Sequence, residues 1–214
     1  MIIDTQFEHL PTIAACHQKA FQKSLSSAMG KTYLFKMLEW YLVAPHAFIF
    51  HIEKEGKCIA YCGGLVSDGS QPVGAASGML QHSFNAALWA YFRRPWLLLH
   101  PETKNKYTYI WKNILYKLKI RKPSRPEAEQ KKMKAEPLGG LVVIGVDPDC
   151  QGKGYGQSLL QEFERRALLL KVYKLQLTVK TYNAKAIRAY EYGGWKRDKI
   201  EGNSLVMYKY LEQV

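Results

Sequence analysis

Two periods alternate along the chain. From Phe7 to Phe21, Leu10, Ile13, Ala14, His17 and Phe21 fall on one face of a 3.6-residue period, which predicts a helix. Ser24 to Leu42 repeats the pattern through Tyr33, Leu34, Met37, Leu38 and Tyr41, with a break expected near Gly30 and a stop before Pro45. The period then shortens. Ala47–Glu53 and Lys57–Val66 read as two strands joined by a tight turn at Glu55-Gly56, after a short strand at Ile2-Ile3-Asp4. Gly69 to Gly78 reads as loop, Phe84 to Phe92 as a helix stopped by Arg94-Pro95, and Tyr107 to Ile120 as an amphipathic, basic and aromatic helix. Pro123 to Lys134 has no apolar period. Pro137-Leu138-Gly139-Gly140 leads into a buried strand, Leu141–Val146. A helix from Ser158 to Leu170, with Leu159, Leu160, Phe163, Ala167 and Leu170 inward, precedes a strand at Lys174–Lys180. Asn183–Gly193 predicts a short helix, with Ala186, Ile187 and Tyr190 on one face, and Ser204–Leu211 a last strand. Antiparallel neighbours early and crossover units late imply α/β with a mixed sheet.

Between the Leu141 strand and the helix after it lies Gln151-Gly152-Lys153-Gly154-Tyr155-Gly156. A glycine-rich strand-to-helix turn exposes N–H groups that have no intrahelical acceptor, at the positive end of the helix dipole, and so suits a phosphate. Two familiar phosphate loops do not fit. A Walker loop ending at Gly30-Lys31-Thr32 would need glycine where Leu25 stands. A dinucleotide fingerprint starting at Gly152 and Gly154 would need glycine where Gln157 stands.

What remains is Q-x-x-G-x-G after Val146-Asp147-Pro148, followed downstream by Asn183, Ala186, Tyr190 and Gly194-Trp195. In these two linked signatures the chain resembles the GNAT superfamily of acetyl-CoA-dependent N-acetyltransferases, with Trp195 where phenylalanine is usual. The resemblance covers Leu138 to Leu211 well and the first helices and hairpin loosely. It implies a mostly antiparallel central sheet whose strands splay around coenzyme A. It also implies a single domain over 1–214 with a basic helical insertion at about 79–136, outside the common family pattern. Donor-site residues by resemblance and turn chemistry are Ile144, Gly145, Val146, Gln151, Gly152, Lys153, Gly154, Tyr155, Gly156, Gln157, Asn183 and Ala186. The pyrophosphate would sit on the turn, and the pantetheine arm would pair with the 144–146 backbone. Gly145 in that strand is consistent with a bulge. The family reaction is direct attack of an amine on the thioester. The resemblance makes Tyr190 the acid for the departing thiolate and the Val146 N–H an oxyanion donor. The base is left open among Glu53, His51, His82, His100 and a water relay.

Charge sharpens the acceptor question. Thirteen Lys/Arg face three acids between Asn85 and Lys134, which accounts for ten of the net +13. A basic insertion suits three roles: a lid drawing in an anionic amine, a membrane face with Trp89, Trp96, Leu97, Leu98, Leu99 and Trp111 as anchors, or, least favoured, a nucleic-acid contact. Solvation or a homodimer contact is the plain alternative. No metal is expected: Cys16, Cys58, Cys62 and Cys150 form no C-x-x-C pair and read as free thiols, with Cys58 and Cys62 expected on one side of a strand. Asp4 and Glu8 near the start and no apolar run of about 18 residues predict a cytoplasmic protein, with room for attachment at the inner membrane surface. The expected function is transfer of acetyl from acetyl-CoA to a small-molecule primary amine. A non-catalytic coenzyme A-binding regulator and a peripheral membrane protein on the same scaffold are the alternatives.

Overall fold

The structure, a computed structural model, describes residues 1–68, 75–104 and 136–212. Among these, β1 (Ile2–Asp4) is followed by a 3₁₀ turn at Phe7–His9, α1 (Leu10–Ala20), α2 (Leu25–Met29) and α3 (Lys31–Val43). The hairpin β2 (Ala47–Lys54) and β3 (Lys57–Ser67) comes next, then α4 (Ala75–His82), α5 (Phe84–Arg93), a 3₁₀ turn at Pro95–Leu99 and α6 (Pro101–Lys104). The C-terminal part is β4 (Leu138–Val146), a 3₁₀ turn at Pro148–Cys150, α7 (Tyr155–Leu169), β5 (Lys174–Lys180), α8 (Ala184–Tyr192), β6 (Lys196–Glu201) and β7 (Ser204–Tyr210).

One seven-stranded sheet carries the molecule, in the order β1-β2-β3-β4-β5-β7-β6. Every neighbouring pair is antiparallel except β4–β5. Two cores sandwich it. Leu10, Ile13, Leu34, Leu38 and Tyr41 from α1 and α3 cover one face. Leu159, Phe163 and Ala167 from α7 and Ile187 from α8 cover the other, against Leu175, Leu177 and Met207.

Local chemistry sets most boundaries. Glu55 (φ 53°) and Gly56 (φ 71°) both take positive φ, the two-residue turn that matches strand twist. Gly30 (φ 93°) separates α2 from α3, and a Cβ there would lie 2.9 Å from the Arg94 guanidinium, which donates to the Ala28 carbonyl at 2.6 Å. The Gly30-Lys31-Thr32 segment is therefore a helix junction.

Several expectations shift. Residues 75–78 are helix rather than loop: Gly78 lets α4 close on α3, since a Cβ there would lie 3.2 Å from the Trp40 indole nitrogen. The helix after the glycine turn starts three residues earlier than its apolar pattern, at Tyr155, and leaves Leu170 exposed as its C-cap. β6 was not anticipated. All six of its residues are exposed, so an edge strand with no buried face shows no alternation. Cys58 and Cys62 face opposite cores. An extra residue, Ile59, enters β3 where the register slips from Glu53↔Cys58 to Ile52↔Ala60, and a bulge reverses the parity of the strand. The helix expected at 107–120 and the polar stretch 123–134 lie outside the described residues.

The 75–104 helices do not hang off the sheet. Ala90 and Leu97 are buried in the same core as Leu25 and Met29, and His82 pairs with Glu39 of α3 at 2.8 Å. Leu97 is thus a core residue and not a surface anchor.

Candidate functional site

The site is built from a gap between strands. The parallel β4–β5 ladder joins Leu138↔Lys174 through Leu141↔Leu177 and then stops. Both strands continue, β4 to Val146 and β5 to Lys180, so they diverge into a cleft open at the C-terminal end of β4. The divergence begins at a β4 bulge: Gly63↔Val143 is followed by Gly64↔Leu141, which leaves Val142 as the extra residue. The bulge therefore falls at Val142 rather than at Gly145, because a bulge is located by pairing and not by residue type. Gly145 stays in register with Tyr61. Its missing side chain makes room for aromatic rings, since a Cβ there would lie 2.7 Å from Tyr61 and 2.9 Å from Phe21.

Backbone polarity in the cleft follows from the ladder. The Asp147 N–H donates to the Ile59 carbonyl at 2.8 Å, which makes that a hydrogen-bonded pair. By antiparallel alternation Gly145 bonds to Tyr61, while the N–H and C=O groups of Ile144 and Val146 point away from β3, into the cleft. The Val146 carbonyl behaves accordingly, accepting from Gln151 Nε2 at 3.4 Å.

The glycine turn closes the mouth. Gly152 (φ 77°) and Gly154 (φ 82°) both take positive φ, and no atom lies within 4 Å of a Cβ at either. Conformation, not crowding, selects glycine there. Gly154 caps α7, so the N–H groups of Tyr155, Gly156 and Gln157 have no intrahelical acceptor. Gly156 lies against the cleft: a Cβ there would stand 3.8 Å from Val146 Cγ2, an ordinary contact. Gln151 ties the turn to α8 as well, accepting from Lys185 Nζ at 2.6 Å, and Lys153 Nζ donates to the Asp149 carbonyl at 3.1 Å. Lys153 and Lys185 thus stand at the turn that carries these N–H donors, and such a helix start suits an anion. Asp147 anchors the strand end to α1 through Lys19 at 2.8 Å, and that lysine's hydrogen bond holds its carboxyl below the usual carboxylate range.

The second predicted signature lies along the opposite wall. Asn183 Oδ1 accepts from the Ala186 N–H at 3.2 Å and caps α8, so its side-chain oxygen is committed to the helix. Ala186 and Tyr190 pack on the same core as Ile144, Val146 and Tyr155. Burial pushes the Tyr190 phenol up to about 12, with Cys62 adding a smaller push. It stays protonated and able to donate. Trp195 backs its ring at 6.3 Å between centroids.

None of the four base candidates is brought to the cleft. His51 is sealed under α1, bonded to Thr5 Oγ1 at 3.0 Å, and Glu53 stands beside it, 3.9 Å from its Nε2. Both are on β2, two strands from the gap. His82 is held by Glu39, and His100 Nδ1 accepts from the Glu102 N–H at 3.3 Å. A group that sequence reasoning placed only on a core face sits nearer. His17 is buried, bonds to the Tyr61 hydroxyl through Nδ1 and to Ser26 Oγ at 2.9 Å through Nε2. Burial pulls it down to about 4, so it is neutral. The period of α1 puts His17 inward, but only pairing puts Tyr61 beside Gly145. A cavity of about 720 Å³ lies elsewhere, between α2 and the Pro95–Leu99 turn, lined by Ala28, Arg94, Trp96, Leu97, Leu99 and His100.

Residues 119–194, which span the first signature and the second as far as Gly194, match the profile of the Acetyltransferase (GNAT) family. Over that stretch the chain is similar to the GNAT family. Solved structures share the fold. The PaiA N-acetyltransferase of Thermoplasma acidophilum, in complex with coenzyme A, is similar at a TM-score of 0.58 and 10% identity, covering 99% of this chain and 98% of that one. A ribosomal-protein-alanine N-acetyltransferase from Brucella melitensis is similar at 0.54 and 15%, covering 99% of each. Naa20 of Chaetomium thermophilum, bound to a bisubstrate analogue, is similar at 0.55 and 16%, covering 99% of this chain and 86% of that one. No curated protein matches the sequence significantly. The GNAT co-substrate is acetyl-CoA, and the cleft, its outward backbone groups and the turn suit that molecule's phosphates and amide arm.

Proposed function

We propose that this chain is a GNAT enzyme that transfers acetyl from acetyl-CoA to the primary amine of a small molecule by direct attack. The observation that carries the reading is the ending of the β4–β5 ladder at Leu141↔Leu177, with the α7 N-terminus at the mouth and Tyr190 on the same core as Val146. The pyrophosphate takes the N–H groups of Tyr155, Gly156 and Gln157, with Lys153 and Lys185 as counter-charges. Glycine at 156 keeps a side chain off that approach. The pantetheine amides pair with the outward backbone groups of Ile144 and Val146, as an added strand would.

The amine must be neutral to attack, and water carries its proton away, since no predicted base faces the cleft. The tetrahedral oxyanion takes the Val146 N–H, already pointed into the gap. The thiolate leaves under a hydrogen bond from Tyr190. A phenol near 12 is a weaker acid than a thiol near 8.5, so Tyr190 stabilises the thiolate by donating and does not give up its proton outright. The chain's net charge of +13 supports an acceptor that carries negative charge.

Thiol release from acetyl-CoA, followed across anionic and neutral small amines and short peptides with free N-termini, tests the acceptor class. Turnover is expected on an anionic small amine. Turnover on peptides alone refutes the small-molecule assignment, and an absence of acetyl-CoA binding by calorimetry refutes the enzyme.

A further inference from the structure

The segment Phe84–Leu99 presents two sets of apolar side chains. The inward set, Ala90 and Leu97, is buried, with Ala86, Ala87 and Tyr91 packed against the same core. The outward set stays largely in solvent. Trp89 is 52% exposed, Phe92 78%, Trp96 63% and Leu99 68%. Helical spacing puts Trp89 and Phe92 on one ridge of α5, where their rings stack at 5.6 Å, and the Arg93 guanidinium stands 5.3 Å from the Trp89 ring. Trp96 and Leu99 continue the apolar surface along the Pro95–Leu99 turn. Single exposed hydrophobics need no explanation, but five large ones, Leu98 being the fifth, within eleven consecutive positions, 89–99, mark a contact surface.

The charge says what the surface contacts. No Asp or Glu occurs between Phe84 and Pro101; Arg94 is turned inward onto the Ala28 carbonyl, so Arg93 is the cation on this surface, and the 85–134 region holds most of the chain's net charge of +13. We propose that the exposed face of α5 and the Pro95–Leu99 turn docks on a lipid bilayer bearing anionic headgroups. Indole and phenyl rings settle at the headgroup level, leucine side chains enter the acyl boundary, and cations take the headgroup charge. A second copy of the chain fits poorly, because a two-fold contact would press the same basic surface against itself. A nucleic-acid strand would use Arg93 and the rings but leave Leu99 and Leu88 with no partner. No helix among the described residues is long and apolar enough to cross a membrane, so the contact is interfacial. Helix α5 packs by its inward side on the α1–α3 core, on the sheet face opposite Tyr190, and the outward surface does not depend on the donor cleft.

Flotation of the full chain with phosphatidylcholine vesicles, with and without phosphatidylglycerol, tests the surface. The protein floats with the anionic vesicles, and high salt releases it in part. The triple variant Trp89→Ser, Phe92→Ser, Leu99→Ser loses at least tenfold in partitioning while its circular dichroism and acetyl-CoA affinity hold. In the unmodified protein, vesicles with brominated acyl chains quench tryptophan fluorescence. Absence of flotation with anionic vesicles, equal flotation of the triple variant, or absence of quenching overturns the proposal. So does loss of self-association, or of RNA-oligomer binding, in the triple variant when vesicle binding is absent.

Discussion

The two faces of the sheet are built by different means. The β4–α7–β5–α8 face works with main-chain groups: the free N–H groups at the start of α7, the outward N–H and C=O of Ile144 and Val146, and a carboxamide from Gln151 that clips them together. The α1–α5 face works with side chains drawn from distant places: His17 on Tyr61, Lys19 on Asp147, Arg94 on the Ala28 carbonyl. Main-chain recognition needs glycine and a strand end, so a short motif can specify it. Side-chain recognition needs many positions, none of which announces itself alone.

The largest test of that contrast is Gly154→Val. Its Cβ meets no protein atom within 4 Å, so the fold stands, while a β-branched residue at φ 82° distorts the cap and covers the donors. Acetyl-CoA affinity should fall about a thousandfold, roughly 4 kcal/mol, by calorimetry. A loss under tenfold would move the phosphate site elsewhere.

The opposite face should carry pH dependence instead. His17 is held near 4 by burial against an unfolded value of 6.5. The unfolded chain binds the proton first, so the stabilisation is complete above 6.5 and drains away as pH falls from 6.5 to 4. That amounts to about 3 kcal/mol. Urea unfolding across that window measures it, and His17→Gln should flatten the profile. An equally steep profile in the variant would place the titrating group elsewhere.

Tyr190→Phe separates chemistry from binding within the donor face. It should lower kcat about a hundredfold with acetyl-CoA affinity unchanged within about twofold. Equal losses in both would make Tyr190 a packing residue. The smallest effect is expected at Trp195→Phe. The Trp195 indole N–H is buried and has no hydrogen-bond partner among the described residues. Removing the orphan donor offsets the lost area, so thermal unfolding should report a change under about 1 kcal/mol.

Legibility in the sequence follows the same division. Gln151–Gly156 and the Asn183–Tyr190 spacing were readable because each is local and each serves one helix end. The Leu10–Phe21 face was readable because a buried stripe keeps its period. β6 was not readable, because its residues Lys196–Glu201 bury nothing and so leave no alternation. Nor was the fate of Leu97, which looks like its neighbours in an apolar run but points into the α2 contact. The Val142 bulge was misplaced onto Gly145 for a related reason: composition marks where a backbone can bend, while pairing decides where it does.

By itself the sequence determined the α/β class, most element positions and the glycine cap at α7. These depend on period, φ preference and helix-end chemistry, which act over a few residues. Tertiary structure decided where β4 and β5 part, which backbone groups face the gap, that the candidate bases His51 and Glu53 stand two strands away, and which apolar residues of 84–99 are core and which surface. Those outcomes depend on register and packing between segments far apart in the chain, where a one-residue slip reverses every side chain and no local pattern records the choice.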